Sequence, residues 1–184
     1  KYLIQEYHDG LLFYEICNRV IWEKAEKDEE GLKAYFSKNK GKYKWLEPRF
    51  KGIAYYVKEK KDVNNVRNAV KGIPFDQWPE TLRKAFNSDS ILRIHVEKGL
   101  FKKGDHPLVD NKVFKTGVVA KPLRDFPISA VFGKKLKAPK EMDDVRPQVL
   151  ADYQEALERK WLEELRKRYS VYIDQKVLKT VNKH

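Results

Sequence analysis

Apolar side chains recur at Ile4, Tyr7, Leu11, Phe13, Ile16, Val20 and Ile21, so residues 1 to about 27 read as helix. Asp28 then stands where a cap belongs, ahead of a second short helix, EEGLKAYFSKN, that ends near Gly41. After Pro48 the period changes. RFKGIAYYVK is dense in β-branched and aromatic residues and predicts a mostly buried strand. DVNNVRNAVKG carries Val63, Val66 and Val70 at helical spacing with Gly72 just beyond. PFDQWPETLRKAFN predicts another short helix whose body starts at Pro79, since proline suits a first helical turn. ILRIHVEKGLF sets Leu92, Ile94 and Val96 against Ile91, Arg93 and His95, the alternation of a strand with one drier face, and FPISAVFGKKL predicts the last strand. From Glu141 the helical period returns, with Val145, Val149, Tyr153, Leu157, Trp161, Leu165 and Tyr169 in one long stripe. Such a helix needs a surface to lie against, and the first helix is the expected one.

These elements predict an α+β chain. A helical segment, 1–45, precedes a β-α-α-β-β module, 46–138, with a small antiparallel sheet and short helices. A long C-terminal helix and short tail, 139–184, follow, and the terminal helices are expected to pack together. The opening lies inside a helical pattern, which reads as part of a longer chain.

Composition agrees with folding: 41% hydrophobic residues with four Trp, nine Phe and ten Tyr supply a core despite 36% charged residues. No apolar run is long enough for a membrane span. The single cysteine, Cys17, excludes an internal disulfide and a cysteine-rich zinc site, and its place beside Phe13, Ile16 and Val20 predicts a buried, inert thiol. The net charge of +12 is densest from Lys38 to Lys61. It suits a solubility surface, acidic or lipid-associated clients, or nucleic acid, although no recognition-helix or RNP-like pattern supports the last. Trp22, Trp45, Trp78, Trp161, Tyr55 and Tyr56 are read as core, with client contact as the alternative.

The order of these blocks resembles a known family. RFKGIAYYVK sits where parvulin-type peptidyl-prolyl isomerases have a first strand of the type ARHILVK. NSDSILRIHVEKGLFKKGDHPLVDNKVFKTG sits where they have SDD, GGDLGWF, a GQM-type loop and an EFEKAAFAL helix turn. The opening DGLLFYEI…VIWEKA and the tail DVRPQVLADYQEALERKWLEELRKRYSVYID resemble the helix before, and the long helix and final strand after, the isomerase domains of SurA- and PrsA-class foldases. The resemblance covers nearly the whole chain. It implies a parvulin-like, FKBP-like fold, a periplasmic location, unfolded or proline-containing polypeptide clients, outer-membrane proteins among them, and no cofactor.

Rotating a prolyl bond means crossing a barrier of about 18–20 kcal/mol set by amide resonance. An apolar cleft that grips proline, with hydrogen bonds matched to the twisted amide, suffices to lower it. Parvulins resemble one another in using two facing histidines, a Cys or Asp, and a proline pocket. Carried over residue by residue, that resemblance puts Ala54 at the first histidine, a position near Ala130 at the second, and Ser90 at the Cys/Asp. Lys98, His106 and Val109 fall at the Leu, Met and Phe of the pocket, while Phe101 and Phe114 match, and Phe126 lies nearby. No histidine occurs between His8 and His95 or between His106 and His184, so neither catalytic imidazole has a substitute in register. His95 and His106 are read as ordinary strand and loop residues, with a relocated polar network as the alternative; no metal site is expected.

The expected function is therefore that of a SurA-like folding factor that holds unfolded polypeptide, its parvulin-like domain inactive as an isomerase. The competing expectations are an isomerase with a pocket that works by shape near Phe101, Phe114 and Phe126, and a basic nucleic-acid-binding module.

Overall fold

The computed structural model describes residues 2–88 and 90–181; Lys1, Asp89 and the end of the tail, 182–184, lie outside the described residues. The chain divides into two compact units, one of Lys1–Lys42 with Glu141–His184 and the other of Tyr43–Lys140.

The first unit is helical. α1 (Tyr2–Cys17) runs through a π-helical turn, Asn18–Trp22, into α2 (Glu23–Lys27). Asp28 leaves helical geometry and caps α3 (Glu29–Asn39), its carboxylate accepting from the Gly31 N–H at 2.8 Å. α7 (Arg146–Arg168) starts after a turn, Met142–Val145, in which Glu141 and Asp144 cap each other, and Pro147 occupies the first helical turn. The core is Cys17, Ile21, Ala25, Leu32, Phe36, Met142, Val145 and Val149. Lys42 pairs with Asp152 at 2.8 Å, and Arg146 with Glu29, at the rim.

Two expectations are revised here, the first only in part. α7 packs on the π-helical turn and α2, the second half of the helix read over residues 1 to about 27, and on α3 as well, whereas the apolar residues of α1 from Leu3 to Ile16 lie in solvent. The α7 stripe accordingly fades along its length: Val145 and Val149 are buried, Tyr153 to Leu165 half-buried, and Tyr169 exposed. The final strand expected in the tail is also not formed. Among the described residues, 170–174 pair with no strand, and a short α8 (Gln175–Leu178), capped by Asp174, follows them.

The second unit is a three-stranded antiparallel sheet in the order β2–β1–β3, built from β1 (Arg49–Val57), β2 (Ile94–Phe101) and β3 (Ile128–Leu136). Both faces of β1 are covered, so Phe50 and Ile53–Val57 are all buried and its sequence reads as a nearly continuous apolar run. On one face α4 (Lys60–Ala69) and α5 (Trp78–Phe86) bury Ile53, Tyr55 and Val57 with Val66, Val70, Leu82, Phe86 and Ile94. On the other, a single turn α6 (Pro107–Val109) and a following π-helical turn, Asp110–Phe114, bury Phe50, Ala54 and Tyr56 under Leu108 and Val109.

β2 starts three residues later than expected. The Asn87 side chain accepts from the N–H groups of Arg93 and Ile94 and donates to the Ile94 carbonyl. That clip ends the approach to the strand and leaves Ile91 and Leu92 exposed ahead of it. Arg93 is held by its Nη2, which donates to both carboxylate oxygens of buried Asp62 of α4, at 2.8 and 2.9 Å. Each strand carries one glycine, and the register sets Gly99, Gly52 and Gly133 in a row across the sheet. A Cβ on Gly52 would come within 2.4 Å of the Phe132 carbonyl oxygen, and one on Gly99 within 2.8 Å of the Phe101 ring. The rings of Phe50 and Phe101 fold back over this bare strip.

Candidate functional site

Strand alternation decides which residues share a face. Phe50, Ala54 and Tyr56 of β1 lie opposite Phe101, Glu97 and His95 of β2, so these six stand on the side covered by α6. Val109 of α6 is buried among them, and Phe101, Phe114 and Phe126 pack at the periphery. His106 completes the group, edge-on to Phe101 at 5.5 Å. Five of the expected pocket residues, Phe101, His106, Val109, Phe114 and Phe126, thus come together in one aromatic cluster.

Two expectations are corrected by the register, and one by burial. Lys98, one residue from Glu97, points to the opposite face, where its ammonium lies 5.0 Å over the Phe75 ring and bonds the Asp76 carbonyl. Ala130 also lies on that opposite face, packed against the Ile53–Tyr55 core, so it does not face Ala54; Val131 stands opposite Ala54 on β3. Val109 is fully buried, so this part of the cluster is filled core and not an open cleft. Ser90 lies in the exposed bend between α5 and β2.

His106 is not an ordinary loop residue. Its side chain is buried, its Nδ1 accepts from the Leu108 N–H at 3.1 Å to cap α6, and its Nε2 lies 3.2 Å from Glu97 Oε2. An accepting Nδ1 places the proton on Nε2, which donates to the carboxylate. His95 Nε2 lies 3.1 Å from the other oxygen, Oε1. One carboxylate therefore orients two imidazoles at the edge of an aromatic cluster. Burial pushes the Tyr56 hydroxyl up from its ordinary value, with Glu97 adding to the effect, and its ring lies 5.9 Å from His95. His95 is half exposed and can exchange a hydrogen bond with whatever settles on this edge.

Glu97 was not anticipated. The available signal was the HVE alternation, which puts residues 95 and 97 on one side of a strand; that His106 would reach the same carboxylate depends on a loop path no local pattern encodes.

Lysines rim the cluster, with Lys58 over Phe126 at 5.4 Å and Lys135 over Phe114 at 5.2 Å. Among the described residues no group of three or more His, Cys, Asp or Glu side chains is placed to hold a metal ion, and no helix is long and apolar enough to cross a membrane. Cys17 is buried, and burial, with a smaller contribution from Glu158, pushes its thiol up and away from reactivity. The structure is of mixed α+β class with an open three-stranded sheet. No family model, curated protein or solved structure matches the chain.

Proposed function

We propose that the chain is a protein-folding factor of the SurA-like periplasmic class that holds unfolded secreted or outer-membrane polypeptides, its parvulin-like unit lacking both of the family's histidines. One observation carries this reading. On α1, Leu3, Tyr7, Leu11 and Tyr14 follow one another at helical spacing along one face, with Phe13 and Ile16 on another that Val20 of the π-helical turn continues, and all are exposed; Tyr7 retains 70% and Phe13 61% of its surface. Soluble helices hide such residues, and a large contiguous apolar surface marks a place where another apolar chain settles. A helix apolar on more than one side suits clients that vary in sequence, since no single complementary stripe is required.

The test is binding of a permanently unfolded protein, reduced and alkylated, to the full chain. Replacing Leu3, Tyr7, Leu11 and Tyr14 together by serine should weaken binding by at least about tenfold, because each buried apolar side chain is worth about 1.5–3 kcal/mol. Because these side chains lie in solvent, the helical circular dichroism should persist. Unchanged affinity would end the reading.

The paired imidazoles favour a second reading, prolyl isomerisation at the His95–Glu97–His106 edge. Exchange spectroscopy on a proline-containing peptide would show cis–trans cross-peaks that vanish in Glu97→Gln. Peptide shifts without exchange peaks would exclude this second reading.

A further inference from the structure

Among the described residues, the order β2–β1–β3 leaves the far side of β3 with no neighbouring strand. Among the described residues no backbone hydrogen bond from another segment reaches Ile128–Leu136 on that side; the one pairing nearby is the Leu123–Phe126 bridge, ahead of the strand. The opposite edge differs, because Asn87 occupies the start of β2. β3 thus offers a run of backbone donors and acceptors onto which an extended chain can add.

Two features select the partner. Ile128, Ala130 and Phe132 on one face of β3, and Val131 on the other, are half-buried, so an added strand would lay alternating apolar side chains beside apolar neighbours. At the C-terminal end the chemistry changes: Lys134, Lys135 and Lys137 are exposed, Lys134 and Lys135 point to opposite faces, and among the described residues none of these three forms an ion pair. Lysines on an edge also deter strands of like charge and neutral aggregating strands. The same device leaves carboxylate-bearing strands as the ones admitted.

We propose that the outer edge of β3 takes an extended, acidic-ended segment of a client polypeptide as a fourth strand, its carboxylates beside Lys134, Lys135 and Lys137. The inference rests on the polypeptide-holding reading and names the part of the client recognised. α1 takes apolar side chains irrespective of backbone, whereas β3 takes backbone in extended form.

The experiment is amide hydrogen exchange on the full chain, read residue by residue, with a peptide of alternating valine and threonine that ends in glutamates. Exchange should slow at alternate amides of β3. The glutamine-ended version, the version N-methylated at alternate residues, and the Lys134→Glu/Lys135→Glu protein should each bind about tenfold more weakly, while the double variant still captures reduced, alkylated protein through α1. If that unfolded protein binds and no β3 amide changes, the strand proposal is wrong and the holding function stands. If it does not bind at all while the peptide protects β3, the holding function is wrong and β3 is a peptide site of another kind. A single-stranded oligonucleotide that competes at the same lysines with equal affinity would overturn the polypeptide assignment.

Discussion

Asp28 is the residue on which the helical unit turns. It ends α2, caps α3, and accepts a hydrogen bond from the Tyr153 hydroxyl at 2.6 Å. Gly31 makes this possible, because a Cβ there would lie 2.2 Å from the Asp28 carboxylate and 2.3 Å from the Tyr153 oxygen. Gly31→Ala should therefore cost about 1–2 kcal/mol, the range of a lost cap, in denaturant unfolding. The pair also predicts a pH profile. The Tyr153 bond, then the Gly31 N–H, holds the Asp28 carboxyl below its ordinary value, so its stabilisation is present above the ordinary carboxylate range and fades as pH falls through the depressed value. Burial first, and the Asp28 bond second, pushes Tyr153 up to about 12. Its stabilisation is complete below the ordinary tyrosine value of about 10 and is lost as pH rises towards 12. Unfolding measured against pH should show both flanks in the native protein and a flatter curve in Tyr153→Phe.

At the scale of elements, the bond between Arg93 and Asp62 ties the entry of β2 to α4. Asp62 is fully buried, so Arg93→Met would leave a carboxylate out of water with only Asn65 to serve it, and should destabilise the sheet unit by about 3 kcal/mol in chemical denaturation. Unchanged stability would mean that water reaches Asp62. The elements themselves were legible, for physical reasons. Val63, Val66 and Val70 repeat at the helical period, Asp28 stands at a cap, and IAYYV is too continuously apolar to be anything but a covered strand. Ile91 and Leu92 misled because they continue an alternation that Asn87 interrupts through space. The tail misled in a related way: SVYI is β-prone, but a strand forms only with a partner, and among the described residues it pairs with none. α7 was recognisable as a helix and its partner in part: it lies on the second half of the helical run read over residues 1 to about 27, while α3 and the exposure of α1 were not foreseen, because a stripe specifies that something apolar lies against it and leaves open how much of which helix does.

For the whole molecule, the net charge of +12 bears on capture more than on folding. Screening shortens from about 10 Å at 0.1 M salt to 3 Å at 1 M, so affinity for acidic unfolded clients should fall across that range while affinity for neutral apolar clients holds or rises. Equal salt dependence for both would show that charge plays no part in selection. The candidate site was half legible at this scale. Phe101, His106, Val109, Phe114 and Phe126 were expected together and do meet; Lys98 and Ala130 were placed by counting along strands without knowing which face each would take. The meeting of Glu97 with both histidines needed the strand register and the loop path at once.

The glycine row has a further consequence. Gly99, Gly52 and Gly133 separate a half of the sheet covered by apolar packing on both faces, Ile53–Val57 with its neighbours, from an end where Phe50 and Phe101 pack on one face only and Lys51, Lys134 and Lys135 stand beside them. Glycine contributes backbone freedom and no packing, so the row is a natural seam for cooperativity. The end beyond it can open and reclose while the packed half stays shut, so the sheet unit would carry two opening free energies, the smaller one at the end where a guest strand would dock.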